Sequence, residues 1–455
     1  MAYRDSVISN ISLATTAAES PSFTNILFVA SHAYYENRIT AFSSFDEVRE
    51  LIPSGSNAYN ALRLAFSQPN GAPQPIFLGR RQVDDVTLTP SADRIGRITQ
   101  YNVTVTSTEG AVTATYTSTT ADDAEAIVNA LDAAITQTDI TATVSGTGAD
   151  AKLVIAPTTT VIFTVTGVSN LDSSFTSTES AADLLNALLD ENDDDWYALA
   201  TEDHTEAFVL DMAAEIEATG GGNKPKVYAV STQDAETITP LVSPADDLLG
   251  KLQELGYLRT FPIWSHNADT VFPEVGYLAY NAIYDAGVTT YKFMQLRGIG
   301  VSEDPVTGKP LSSAKRGYID DRNGNYLSFE RGVLFSREGK VSGGEWFDVV
   351  IARDWMNDQI EARLTTLLIN QAGGKIPFTN AGKQQVINVV DSVLKLGVDL
   401  KILSGYDGTT IPENTPFADQ AARILKQVKF TGFLAGAVHF IDISGTLTYE
   451  DETLN

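Results

Sequence analysis

The residues with the widest chemical repertoire in this sequence are its four histidines, His32, His204, His266 and His439. They are scattered, lack the spacing of metal ligands, and never form an HExxH pair. His439 alternates within a strand-like run and reads as an ordinary packing or surface residue. The chain has no cysteine, which excludes disulfides, thiolate metal sites and a cysteine nucleophile. No GxSxG elbow offers an activated serine. Ser145-Gly146-Thr147-Gly148 is too short for a dinucleotide fingerprint and lies between two strand patterns. Gly308-Lys309 runs into Pro310 and Gly382-Lys383 into Gln384, so neither is a phosphate loop.

Two acidic clusters have the right atoms for a divalent cation. Asp190, Glu191, Asp193, Asp194 and Asp195 could present oxygens, but without calcium-loop spacing they read as a solvated turn that ends a helix. Asp320, Asp321, Asn323 and Asn325 surround Gly324 with the spacing of hairpin turn chemistry. A carboxylate pair for glycoside hydrolysis is defined in space, not in sequence, and nothing here singles one out. The expectation is a protein with no catalytic residues, no cofactor and no metal.

The elements that would position any site are those of a large, acidic, packed protein. The 455 residues allow two or three domains, and a hydrophobic fraction of 43% fits a globular chain. A formal net charge of −27 repels nucleic acid and anionic membranes. One stretch is locally basic: Lys292, Arg297, Lys309, Lys315, Arg316, Arg322, Arg331, Arg337 and Lys340 outnumber the acids around them. Arg316, Arg322 and Arg331 are the candidates for a basic interface, against the ordinary reading of a solvated mixed surface. The start, MAYRDSVISN, has no apolar core behind a basic end, and no apolar run approaches a membrane span. Synthesis in a cytoplasm and no membrane insertion are expected.

Residues 1–20 alternate weakly, with Val7, Ile8, Ile11 and Leu13 as their apolar positions. They read as an extended arm without a core, or as a frayed terminus. Phe23–Ala30 and Pro75–Gly79 are apolar strand runs separated by helix signals, with Ser44 and Glu47 as a capping box and a second helix after Asn57. That order predicts a parallel pair with a crossover. From Thr99 to Ser180 the composition shifts to Thr, Ser and Val with period-two alternation, which predicts an inserted β-rich domain containing one short helix capped by Thr120. The α/β rhythm resumes after Ala181, with strands at Trp196–Ala200, Val227–Val230, Phe261–Trp264 and Tyr291–Leu296. Helices are expected over Glu206–Ala218, Ala245–Leu255 and Glu274–Tyr284. Tyr318–Ile319 and Tyr326–Phe329 flank Asn323-Gly324 as a hairpin.

The longest pattern runs from Gly343 to Thr379. Val349, Ala352, Met356, Ile360, Leu364, Leu367 and Leu368 recur at helical spacing and predict one buried face. Thr379 caps a second helix with a stripe of Val386, Val389, Val390, Val393 and Leu394, and both helices are expected to pack on one sheet. Near the end, Ala435–Ile443 and Thr446–Tyr449 are strand-like, either as an internal edge or as a strand that leaves the subunit.

The order Gly343-Gly344-Glu345-Trp346-Phe347-Asp348, Asp354-Trp355-Met356, then Lys375-Ile376-Pro377-Phe378-Thr379 resembles the C-terminal region of bacteriophage contractile tail sheath proteins. Asp195-Trp196-Tyr197, Thr232-Gln233-Asp234-Ala235 and Gly256-Tyr257-Leu258-Arg259-Thr260 also resemble sheath sequences. The resemblance covers most of the chain and rests on the order of segments. It implies an α/β core with a mixed sheet flanked by helices (21–98 and 181–430), a β-rich outer insertion (99–180), and extended arms (1–20 and 431–455). It further implies six-membered rings stacked helically around an inner tail tube, with baseplate and tail terminator proteins as further partners, in the contractile tail of a virion made in a bacterial cytoplasm. In that family the arms interlace with sheets of neighbouring subunits, which makes Val7, Ile8, Ile11, Leu13, Phe440, Ile441, Ile443, Leu447 and Tyr449 the expected intersubunit residues. Two other classes stay open: a different tail or baseplate structural protein, and a secreted carbohydrate-binding adhesin or hydrolase.

Overall fold

A computed structural model describes residues 22–71, 75–159, 161–222, 224–371 and 374–444. The chain divides into two units, a body ending at Asp358 and a C-terminal unit beginning at Gln359.

The body is organised around β1 (Ile26–Ser31), whose residues from Ile26 to Ala30 are all buried. β2 (Ile39–Phe42), α1 (Phe45–Leu51) and α2 (Asn57–Phe66) lead to β3 (Ile76–Arg81). The capping box at α1 is formed: Ser44 Oγ accepts the Glu47 N–H, and the Glu47 carboxylate accepts the Ser43 N–H. β1 and β3 are parallel, as a strand–helix–strand order requires. The antiparallel edge strand β2 pairs with β3. It escapes a pattern reading because it is four residues long and mostly half-exposed.

Two small antiparallel sheets follow. Their elements are β4 (Asp85–Pro90), β5 (Gln100–Ser107), β6 (Gly110–Thr117), α3 (Ala124–Asp132), β7 (Ile140–Ser145), β8 (Lys152–Pro157), β9 (Thr164–Ser169) and β10 (Leu171–Thr176). One sheet runs β10-β4-β8-β7 and the other β6-β5-β9. Val86, Leu88, Val103, Val105, Ile127 and Leu153 belong to a hydrophobic core separate from those of the main sheet. The module therefore begins at β4, ahead of Thr99. The polar loop from Ser91 to Ile98 delays the change in composition. The cap of α3 is Asp123, whose carboxylate accepts the Ala126 N–H, in place of Thr120.

The chain returns through α4 (Ala181–Glu191), β11 (Ala198–Thr201), α5 (Glu206–Thr219), β12 (Val227–Thr232), α6 (Leu248–Leu255) and β13 (Thr260–Trp264). The main sheet has the order β13-β12-β11-β1-β3-β2, parallel except at β2. α4 and α5 cover one face through Leu184, Leu188, Val209 and Met212. The other face packs α2 and α8 (Pro273–Asn281), which follows the single turn α7 (Ala268–Val271). The fold is thus mixed α/β, a mixed sheet flanked by helices with additional small sheets.

Between residues 291 and 340 the structure departs from the sequence reading. Tyr291–Leu296 is irregular, and Phe293 has a φ of 69°, which breaks strand alternation. After the short pair β14 (Glu303–Asp304) and β15 (Lys309–Pro310), Tyr318 and Ile319 lie in helix α9 (Ser313–Asp320), capped by Ser312. Asn323-Gly324 ends that helix: the Gly324 N–H donates to the Ile319 carbonyl. The hairpin is β16 (Tyr326–Glu330) with β17 (Val333–Arg337), turned at Arg331-Gly332 with φ of 51° and 84°. Two consecutive positive φ angles are what a tight hairpin turn needs.

The last body element is the start of α10 (Phe347–Ile369). Phe347 stacks on Phe261 of β13 with centroids 4.6 Å apart. The buried face carries Phe347, Val350, Ile351, Ala352, Asp354 and Asp358. Val349, Met356, Ile360, Leu364 and Leu367 are only half-buried and Leu368 is exposed, so the expected stripe is rotated. Two carboxylates take covered positions that a pattern of apolar residues assigns to solvent.

Candidate assembly surface

The C-terminal unit holds the rest of α10, then α11 (Asn380–Asp399), β18 (Leu403–Thr410), α12 (Phe417–Ala421) and β19 (Lys429–Leu434). Thr379 caps α11 by accepting the Gly382 N–H. Val386, Val390, Val393 and Leu394 are buried along that helix, which packs on β18. The two long helices therefore cover different sheets: α11 lies on β18, and the start of α10 on the body sheet. Asp391 accepts the Thr409 N–H at 2.8 Å, and the Lys383 ammonium donates to the Pro412 and Glu413 carbonyls at 2.7 and 2.6 Å. These polar ties fix the C-terminal end of β18.

Among the described residues β18 and β19 form an antiparallel sheet of two strands. Every residue of β19 is exposed. Among the described residues no further strand pairs with either, and the outer edge of such a sheet is a template on which a strand can be added. From 435 to 444 the chain is irregular and, apart from the half-buried His439, exposed: Phe440 is 71% exposed, Ile441 78% and Ile443 85%. The strand expected over Ala435–Ile443 thus ends one block earlier, and Gly436, with a φ of 59°, lies just past its end. Val7, Ile8, Ile11, Leu13, Leu447 and Tyr449 lie outside the described residues.

The basic stretch is dismantled by the fold. Arg322 is fully buried, its Nε 2.7 Å from Asp247 Oδ2, so it cannot meet another subunit. Arg316 is half-buried and donates to Ser328 and Ser313 hydroxyls. Arg331 is exposed at the hairpin turn. Of the three candidates, two keep access to solvent.

Buried charge elsewhere is structural in form. Arg259 grips Asp354 with both terminal nitrogens, at 2.6 and 3.0 Å, and Tyr197 donates to the same carboxylate at 2.8 Å. His204, 5% exposed, sits between Asp269 at 2.9 Å and Glu274 at 3.2 Å. Burial alone would lower its pKa; the Glu274 charge and the hydrogen bonds of both carboxylates overcome that and raise it to about 10. An imidazolium with both N–H groups engaged has no lone pair with which to act as a base. No sequence signal joins these three residues. The acidic run is a turn in which Asn192 Oδ1 accepts the Asp194 and Asp195 N–H groups while Lys224 pairs with Asp193 and Asp194. Among the described residues no group of three or more His, Cys, Asp or Glu side chains could hold a metal ion. Among them too, no helix is long and apolar enough to cross a membrane.

No family model matches the sequence, and no curated protein sequence matches it. Solved structures do share its fold. The chain is similar to the helical sheath of the anti-feeding prophage (AFP) in its contracted state, with a TM-score of 0.55 and 12% identity over 98% of this chain and 100% of that one. It is similar to a chain of the six-fold symmetrised AFP baseplate, with a TM-score of 0.53 and 12% identity over the same shares. The sheath tail protein of Desulfitobacterium hafniense matches with a TM-score of 0.50 and 11% identity, over 89% of this chain and 93% of that one.

Proposed function

We propose that this chain is the structural subunit of a contractile tail sheath, with no catalytic activity of its own. The reading is carried by one observation: a fold shared from end to end with the AFP sheath, 98% of this chain against 100% of that one. The unfinished β18–β19 sheet and the exposed apolar segment after it support it, because both suit a subunit completed by its neighbours. In this reading subunits form six-membered rings stacked helically around an inner tube, bounded by baseplate and terminator proteins, in a phage or phage-like particle. Contraction then requires bodies that repack while remaining tethered, and exchanged strands supply the tether.

Hydrogen bonds alone would not secure such an arm. Each contributes roughly 1 kcal/mol net, against roughly 1–2 kcal/mol to order each residue. Burial of Phe440, Ile441 and Ile443 in a neighbour, at roughly 1.5–3 kcal/mol for each large side chain, supplies the difference. Negative-stain microscopy of the purified protein tests the reading. Striated tubes or stacked rings are expected, and monodisperse monomers under all assembly conditions would overturn it. The likeness to a chain of the AFP baseplate favours, as a second reading, a place at the baseplate end of the same tail.

A further inference from the structure

Arg80 of β3 is 1% exposed, yet it does not close on a carboxylate as Arg259 and Arg322 do. Its Nη1 donates to the Gln82 side-chain carbonyl at 3.3 Å, and its Nε and Nη2 have no protein acceptor among the described residues. The formal charges acting on it are those of Arg38, Glu179 and Glu191. Both carboxylates are committed to other donors. Glu179 grips Arg38 at 2.7 and 2.9 Å and accepts the Gln82 N–H, while Glu191 accepts the N–H groups of Arg38 and Ile39. An arginine keeps its proton in the interior, and a buried cation without a counter-charge is strongly destabilising. Water could accept from the two free nitrogens, but it would leave that charge uncancelled.

A third free donor lies on the neighbouring strand. Ala30 of β1 is opposite Arg80, and His32 follows two residues on. The His32 ring is fully buried, stacked on Tyr34 with centroids 5.0 Å apart and in a T-shaped pair with Tyr35 at 4.5 Å. Burial, ahead of the Arg80 charge, lowers its pKa to about 3, so the ring is neutral. Its Nδ1 accepts the Tyr34 N–H at 3.4 Å, which places the ring proton on Nε2, and Nε2 has no protein acceptor among the described residues. Two buried side chains thus offer three donors and one charge with no acceptor between them. Nε and Nη2 form one edge of the guanidinium, whose parallel N–H groups match the two oxygens of a planar oxyanion. We propose that this edge of Arg80, together with the His32 Nε2–H, binds a small planar monovalent oxyanion, either bicarbonate or a free carboxylate of the size of formate. The turn that carries His32 is also tied to the β-rich module, since the Ala33 carbonyl accepts the Val165 N–H at 2.7 Å. The anion therefore braces the join between the main sheet and the module, whatever the chain assembles into.

The test follows thermal unfolding of the full chain in sodium formate and in sodium bicarbonate, with sodium chloride at the same ionic strength as the control. The melting temperature should rise with the logarithm of the oxyanion concentration, and chloride should need about tenfold more for the same shift. Arg80→Met should abolish the dependence on formate and bicarbonate. Arg80→Lys keeps the charge but loses the fork, and should reduce the preference for formate over chloride about tenfold. A crystal structure grown in formate should show the anion on the Nε and Nη2 edge of Arg80. Equal responses to formate and chloride would overturn the proposal, because screening alone then accounts for them. So would an Arg80→Met variant that still responds to formate, a water molecule at the guanidinium edge in place of the anion, or a shift that appears only above about 0.5 M, as a general salt effect does. If Arg80→Met fails to fold, the Arg80→Lys preference and the crystal structure decide.

Discussion

The body and the C-terminal unit differ in how far each completes its own structure. The body covers both faces of a six-stranded sheet with helices and closes the buried Arg259 and Arg322 on carboxylates within the same fold. Among its described residues the C-terminal unit builds one sheet of two strands, covers β18 with α11, and leaves every residue of β19 exposed. A two-stranded sheet is marginal unless something packs on it or extends it. On the assembly reading proposed above, the difference would assign stability to the body and association to the C-terminal unit. Substitutions should separate accordingly: changes in the body should move unfolding, and changes at the end of the chain should move association.

The largest effect is expected from cutting the body in the wrong place. Deleting 99–180 would remove β8 and β10, both neighbours of β4, and expose Val86 and Leu88. It would also remove Glu179, whose carboxylate pairs with Arg38 and whose carbonyl accepts from Arg81. That variant should lose its cooperative unfolding transition. Joining Val83 to Ser177 removes the whole module instead, at a point where the Asp84 N–H already reaches the Thr176 carbonyl at 2.8 Å. That excision should melt within about 5 °C of the parent and, with the module proposed as peripheral, still assemble. Loss of assembly from a folded core would place the module in the interface network.

Next in size is the contrast between arginines of one sequence stretch. Arg322→Met strands the Asp247 carboxylate in the interior and should cost about 3–5 kcal/mol in urea unfolding. Arg316→Gln with Arg331→Gln should cost less than about 1 kcal/mol. If the remaining basic surface meets an acidic partner, only that double variant should weaken assembly without weakening the fold. Equal destabilisation by both would erase the distinction between interior and interface charge.

How much of this was legible in the sequence depended on the distance over which each signal acts. Local signals survived: the apolar run at β1, the Ser44–Glu47 box, the Thr379 cap and the Val386–Leu394 stripe all appear where the residues place them. Signals that depend on distant partners did not. Arg322 reads as surface charge because its partner is 75 residues away, and His204 reads as isolated because its carboxylates are 65 and 70 residues on. Asn323-Gly324 is strong turn chemistry, but the same left-handed geometry ends a helix, and only the fold decides which. A helical period misplaces the buried face of α10 because Asp354 is covered by Arg259 and Tyr197, and nothing in such a period announces a buried carboxylate.

A smaller effect sharpens the comparison through pH. His204 faces Asp269 and Glu274, with Glu202 also nearby. Its pKa is raised in the fold, so its contribution is complete below the ordinary value of 6.5 and is lost as pH rises through about 10. His204→Gln should lower stability by about 2 kcal/mol near neutral pH, and the gap between variant and parent should close toward pH 10. Melting curves of both proteins across that range check it. A gap independent of pH would mean that His204 acts by shape alone.

The smallest effect on stability is expected where the effect on function is greatest. Residues 1–20 and 436–455 are proposed to act in a neighbouring subunit, and the exposure of Phe440, Ile441 and Ile443 means their removal uncovers little of their own subunit. A chain ending at Ala435 keeps β19, whose end is tied by the Ala435 N–H to the Ile402 carbonyl. Its unfolding transition should coincide with that of the full chain, while sedimentation and microscopy should show rings and tubes abolished. Removal of residues 1–20 should do the same if that segment is the second arm. An internal edge strand predicts the reverse: the truncated monomer would lose several kcal/mol and aggregate through the uncovered edge. Strong destabilisation of both truncated monomers would therefore defeat arm exchange even in a protein that still formed part of a tail, because the link between subunits would then have to run through the folded bodies.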